Sequence, residues 1–242
     1  MVASTTSTTV RPNGAADGRV ATTIQGDDVP ITIGVKEKPG SIGSNWTFPP
    51  GRSGPEGFTG RRGEELDTWL AVHGRAAGEQ TIELILRGIQ DEPVVVTGLR
   101  GQVVRASQPD ATSSLAWTFG CGGIAPREAR VNLEDPALRF TWFEEGSGTL
   151  PRAPTLRVDT GDIEVIEVTS SVRSSDVSWR MILSYEFKGR TGEIAIDNGG
   201  RPFTVTAPGP TTRAYRVASG LEPSTVMVVR APENDGRLGT FC

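Results

Sequence analysis

From Val177 to Phe187 the chain alternates. Val177, Trp179, Met181, Leu183, Tyr185 and Phe187 are interleaved with Ser178, Arg180, Ser184 and Glu186. Successive side chains on a strand point to opposite faces, so this period buries one face and wets the other only as β-structure. Ile182 alone breaks the polar side. Lys188 and Gly189 follow at hairpin-turn spacing, then Ile194 and Ile196, then Asn198 to Gly200, then Phe203 and Val205. The pattern predicts a meander of three strands joined by two tight turns.

The same reading extends along the chain. Strands are expected at Val29 to Lys36, Thr81 to Gly88, Pro93 to Ala106, Ser114 to Gly120 and Leu138 to Phe143. Others are expected at Ile163 to Val172, Arg213 to Ala218 and Thr225 to Arg230. In Ile163 to Val172 the apolar set slips from 163 and 165 to 166 and 168, which predicts a β-bulge. Leu66, Trp69, Leu70 and His73 fall at helical spacing, with acids before them and Gly74 near the end, so Glu64 to Arg75 reads as a short amphipathic helix. Residues 1–28 are rich in Ser, Thr, Gly and Asp without a period and read as a disordered tail. Residues 39–63 read as one long Gly/Pro loop. Within it Gly51, Gly54, Gly57, Gly60 and Gly63 recur every third residue, as in collagen, but the run is too short to hold a triple helix.

These elements predict an all-β chain: an antiparallel β-sandwich, immunoglobulin-like or jelly-roll-like, with one short helix. A closed barrel is the alternative. Residues 29–242 form one domain in this reading, and 242 residues suffice for a sizeable core.

Composition excludes more than it assigns. The formal charge is −4 and lysine is confined to Lys36, Lys38 and Lys188, so no overall basic field draws nucleic acid. The arginine preference reads as GC-rich codon usage. No apolar run approaches the roughly eighteen residues of a membrane-crossing helix, so no direct membrane insertion is expected. The N-terminus lacks the basic and apolar regions of a secretion signal. A cytoplasmic location is expected on that ground, and an extracytoplasmic one if the chain is a processed fragment. Asn45, Trp46 and Thr47 form an N-glycosylation sequence, which matters only in a secreted eukaryotic protein.

Few residues carry chemistry. His73 is the one histidine, and it lies on the apolar helix face; multi-histidine metal sites are excluded. Cys121, Gly122 and Gly123 follow a strand, where glycines let a ligand approach a thiol and offer backbone N–H groups. Cys121 and Cys242 are the two cysteines, and a disulfide between them stays open. Asp159, Thr160 and Gly161 follow Leu156, Arg157 and Val158, a hydrophobic residue then Asp-Thr-Gly as in the catalytic loop of aspartic proteases, yet Asp-x-Gly is also ordinary turn chemistry and no second copy exists. Asp159, Asp162, Glu164 and Glu167 are dense enough to suggest calcium, without a twelve-residue calcium loop; a solvated face is the plainer reading. Phosphate-binding glycine loops and the Gly-x-Ser-x-Gly elbow are missing, so no cofactor is expected. Trp46, Trp69, Trp117, Trp142 and Trp179 are spread along the chain and read as core, with a sugar-stacking platform as the alternative.

Four segments carry a family resemblance: Pro93 to Arg100, Gly120 to Gly123, Asp176 to Trp179, and Gly189 through Asn198 to Phe203. Together they resemble a set that recurs, in this order, in uncharacterised β-rich proteins of GC-rich actinobacteria. The resemblance covers roughly residues 64 to 206. It implies a β domain without a known activity, carried in relatives behind membrane or regulatory segments. Those relatives have a cysteine pair near the Asp-Val-Ser-Trp position, where this chain has Ser174 and Ser175. Asp159 to Gly161 lies outside the recurring set.

The expectation is therefore a non-enzymatic interaction or ligand-sensing module that takes an unknown protein or small ligand. Trp46, Cys121, Gly122 and Gly123 are its candidate binding residues. A hydrolase using Asp159 or Cys121 is the alternative, and an assembly role as a homo-oligomer through a sheet edge is a third.

Overall fold

The structure is a computed structural model. It describes residues 9–12, 21–25, 29–37, 45–48, 69–70, 72–109, 113–117, 127–144, 148–207, 214–217 and 226–229. Two sheets pack face to face as a β-sandwich, without closing into a barrel. The first runs, in spatial order, β1 (Thr9–Pro12), β2 (Ala21–Gln25), β3 (Ile31–Glu37), β6 (Glu79–Gly88), β13 (Ile163–Ser171), β9 (Arg127–Asn132), β10 (Phe140–Glu144) and β11 (Gly148–Leu150). The second runs β12 (Leu156–Val158), β7 (Val94–Ser107), β14 (Asp176–Phe187), β16 (Phe203–Thr206), β5 (Arg75–Ala77), β4 (Asn45–Phe48), β8 (Ser113–Trp117), β17 (Ala214–Val217) and β18 (Val226–Val229), with β15 (Arg190–Ile196) also paired to β14.

The alternation read from the sequence is what builds the core. Ile31, Ile33 and Val35 of β3 and Ile82, Leu84 and Leu86 of β6 face inward from the first sheet, against Val94 and Val96 of β7 and Trp179, Met181 and Leu183 of β14. Each such fully buried side chain contributes about 1.5–3 kcal/mol. Most strand pairs are antiparallel, but β9 with β13, β5 with β16 and β8 with β17 are parallel, so both sheets are mixed. For β9 and β13 the reason is a crossover: the chain leaves β11, adds β12 to the other sheet, and returns to the first sheet beside β9.

One residue passes the chain between the sheets. Gly78 separates β5 from β6 at φ 76°, a conformation that costs glycine little. Its N–H donates to the Thr206 carbonyl of the second sheet at 2.7 Å, and its carbonyl accepts from Val172 N–H, just past β13 of the first, at 2.8 Å.

Several expectations change. The first tight turn holds: Lys188 and Gly189 take φ of 53° and 69°, the two positive values of a type I′ hairpin, and Phe187 pairs with Arg190. The meander does not. β15 and β16 never pair with each other; both lie on the same side of β14, end to end, Met181 opposite Ile196 and Trp179 opposite Phe203. The turn at Asn198 is an excursion from one strand lane that returns to the same lane. β13 has no bulge against β6, because Ile163 is simply left 52% exposed at the strand's start. The register shifts fall instead between β7 and β14, at Ser178/Trp179 and Ser184/Tyr185. The stretch expected to be a structureless tail contains β1 and β2, which pair with each other, and the long Gly/Pro loop contains β4. All three are strands of four or five residues, too short to display a period in the sequence. Of the expected helix, residues 69–70 and 72–73 are helical, and Arg75 already belongs to β5. The glycine triplets after residue 50 lie outside the described residues.

Candidate functional site

Trp46 is the candidate binding residue that the structure places. It stands in the middle of β4, opposite Ala76 of β5. The helical residues 69–70 and 72–73 lie beside β4, Trp69 against Phe48. Gly74 ends the turn, its N–H donating to the Leu70 carbonyl at 2.8 Å. A Cβ at Gly74 would stand 2.7 Å from the Trp46 ring atom Cε3, so only glycine lets the indole lie this close to the turn.

The result is an aromatic corner. Phe48 and Trp69 have ring centroids 5.6 Å apart, and Trp69 and His73 have theirs 4.8 Å apart, both pairs tilted. Trp46 is 5% exposed, and its Nε1–H is buried without a hydrogen-bond partner among the described residues. A buried indole N–H usually finds an acceptor, and leaving a donor unmet costs about 1–3 kcal/mol. His73 is half-buried, and Val72 beside it is 60% exposed. Thr47 points away from this corner: its hydroxyl meets that of Thr206 at 2.7 Å across β5, and Thr206 Oγ1 donates to the Ala76 carbonyl at 3.1 Å. That polar tie anchors β4 at the residue next to Trp46.

The corner holds one buried indole N–H without an acceptor among the described residues, and a half-buried imidazole stacked on the neighbouring Trp69. Such a set suits recognition of an acceptor on an apolar or planar body. Sequence reading singled out Trp46 and, separately, the face of Trp69 and His73. It did not join them, it passed over Phe48, and it read Gly74 only as a helix-end signal. The signal was the local density of aromatic residues at 46, 48, 69 and 73.

The remaining candidates are dispersed. Asp159, Thr160 and Gly161 form the turn between β12 and β13: Asp162 N–H donates to the Asp159 carbonyl at 3.0 Å, and Gly161 has φ 82°, as a type II turn requires. Arg157 chelates the Asp159 carboxylate, with Nε 3.0 Å from Oδ2 and Nη2 3.0 Å from Oδ1. Those hydrogen bonds hold the carboxyl below its ordinary range. An aspartate gripped by an arginine stays ionised, unlike one sharing a proton with a second aspartate. Glu164 pairs with Arg127 of β9, while Glu167 lies on the other face of β13. Among the described residues no three His, Cys, Asp or Glu side chains gather to hold a metal ion. Trp69, Trp142 and Trp179 are buried like Trp46, so none of these four indoles offers an open stacking face. Cys121, Gly122, Gly123, Cys242 and the side chain of Trp117 lie outside the described residues. Among the described residues no helix is long and apolar enough to cross a membrane.

No protein-family model matches the chain, and no curated protein matches it.

Proposed function

We propose that this chain is a non-enzymatic binding module, a sandwich of the immunoglobulin-like kind, that takes a ligand or partner at the aromatic corner around Trp46. The observation that carries the reading is the Trp46 Nε1–H, buried with no acceptor among the described residues. A carbonyl, ether or hydroxyl oxygen on an apolar body meets that donor and removes the cost of its isolation. The supporting frame is rigid: β4 is paired on both sides, and the Thr47–Thr206 bond ties it across β5.

The test uses the full chain and a fragment library of aromatic amides, ketones and ethers, read by ligand-observed NMR. Hits that bind the wild type and weaken roughly tenfold in Trp46→Phe, which keeps a ring and deletes the donor, support the reading. No hit on the wild type, or hits indifferent to Trp46→Phe, overturns it. Turnover of a panel of esters, peptides and glycosides by the purified chain would overturn the non-enzymatic part.

A further inference from the structure

The excursion between β15 and β16 holds a reactive pair. Asn198 N–H donates to the Arg201 carbonyl at 2.8 Å and Arg201 N–H returns to Asn198 at 3.3 Å, with Gly199 and Gly200 at φ 64° and 87°. The Asn198 side chain reaches the opposite sheet: its Nδ2 donates to Glu37 Oε1 at 2.9 Å. Glu37 is the last residue of β3, so this bond clasps one end of the sandwich. Burial pushes the Glu37 carboxyl above its ordinary range, which keeps a proton on it more of the time.

An asparagine followed by glycine can attack itself. The backbone nitrogen of the next residue closes a five-membered ring on the side-chain carbonyl carbon, and glycine has no Cβ to shield that nitrogen. Gly199 N–H donates to no backbone carbonyl among the described residues, so no backbone hydrogen bond there withholds the nucleophile.

We propose that Asn198 is a site of spontaneous deamidation, that Glu37 hands the proton to the departing ammonia, and that the reaction opens the clasp between the sheets. The Gly199 N–Asn198 Cγ bond forms as the Gly199 amide proton passes to solvent. The Cγ–Nδ2 bond breaks, Nδ2 takes the Glu37 proton and leaves as ammonia, and Glu37 recovers a proton from solvent. Water then opens the ring at either carbonyl, leaving aspartate or isoaspartate at position 198. Water is the sole co-reactant and nothing is oxidised or reduced. The product lacks Nδ2, so the hydrogen bond it donated to Glu37 is gone, and wherever both carboxyls ionise they repel in a half-buried place. The inference is independent of the Trp46 corner.

The experiment follows the full chain at neutral pH and physiological temperature by peptide mass spectrometry, native and unfolded in urea. In the native chain, residue 198 gains the mass of an amide-to-acid conversion, and Glu37→Gln slows that gain roughly tenfold. In urea both chains convert alike. Asn198→Asp, which carries the product, exchanges amide hydrogens faster at the end of β3 than the wild type does. A native chain that stays unconverted while the unfolded chain converts fully overturns the site. Equal native rates in wild type and Glu37→Gln overturn the role of Glu37. Unchanged exchange in Asn198→Asp overturns the clasp.

Discussion

Arg100 and Glu193 meet at 3.0 Å although the whole width of β14 lies between their strands. Arg100 is on β7, opposite Ile182; Glu193 is on β15, opposite Ser184. The arginine stem must therefore cross above β14. Beneath it lies Ile182, the one apolar residue on the polar side of that strand, and it is only 7% exposed. The pair works as a cover, with hydrocarbon below and charge above.

An exposed ion pair by itself contributes about 0.2–1 kcal/mol and fades with salt. If the stem is what matters, Arg100→Met keeps most of the stability, while Arg100→Ser loses about 1 kcal/mol by uncovering Ile182. Urea unfolding at low and high salt checks this. Equal losses in the two variants, abolished by salt, would reduce the contact to its charges.

Gly88 and Gly98 make a second contrast. A Cβ on Gly88 would press into the backbone carbonyl of Asp159, held there by the bridge between Gly88 and Thr160, and backbone cannot swing aside as a side-chain tip can. Around Gly98 nothing lies within 4 Å. Gly88→Ala is expected to cost about 3 kcal/mol, and Gly98→Ala to gain up to about 1 kcal/mol by stiffening the unfolded chain. Denaturant midpoints for the pair decide it; a harmless Gly88→Ala refutes the close approach.

How these elements were legible follows from where their information lies. β14 and its type I′ turn are local: alternation sets the faces, and Lys188-Gly189 accepts positive φ. Which lane β16 occupies is not local. It depends on Phe203 packing on Trp179, ring centroids 5.6 Å apart, and on β5 arriving from far upstream to pair in parallel. The Trp46 corner was half legible, because aromatic density shows in sequence but an unmet N–H does not. The Glu37–Asn198 bond joins residues 161 apart and has no sequence signature. The Asp159 segment went the other way: its protease-like letters resolve into a turn, with Arg157 two residues back as the partner.

Trp179 gives a third prediction. It is fully buried, and its Nε1 donates to Gln80 Oε1 at 3.3 Å in the core between the sheets. Trp179→Phe keeps the ring contact with Phe203 and strands the Gln80 amide, which is itself buried. The expected loss is about 2–3 kcal/mol, from the unmet polar group and the smaller ring together. Adding Gln80→Leu removes the stranded amide and recovers about 1 kcal/mol of it. A double-mutant cycle by urea unfolding measures the coupling. Simple additivity would mean that the bond contributes nothing.

Two carboxylates predict opposite pH behaviour. Burial pushes Glu134 up, but hydrogen bonds outweigh it: Ser174 N–H and hydroxyl at 2.7 and 2.8 Å and Ser175 N–H at 2.9 Å hold it below its ordinary range. A lowered folded pKa contributes stability above the ordinary carboxylate value, lost as pH falls through the lowered pKa. Glu37, raised by burial, runs in reverse: its contribution is complete below the ordinary value and is lost as pH rises through the raised pKa. Glu134→Gln should therefore be less stable than wild type at neutral pH, with the gap closing only in strong acid. Glu37→Gln keeps an acceptor for Asn198 and should be at least as stable as wild type at neutral pH, losing that advantage as the pH drops to the ordinary carboxylate value. Urea midpoints across an acid-to-neutral series test both. Parallel profiles for Glu37→Gln and wild type would show that the burial of Glu37 costs the folded chain nothing.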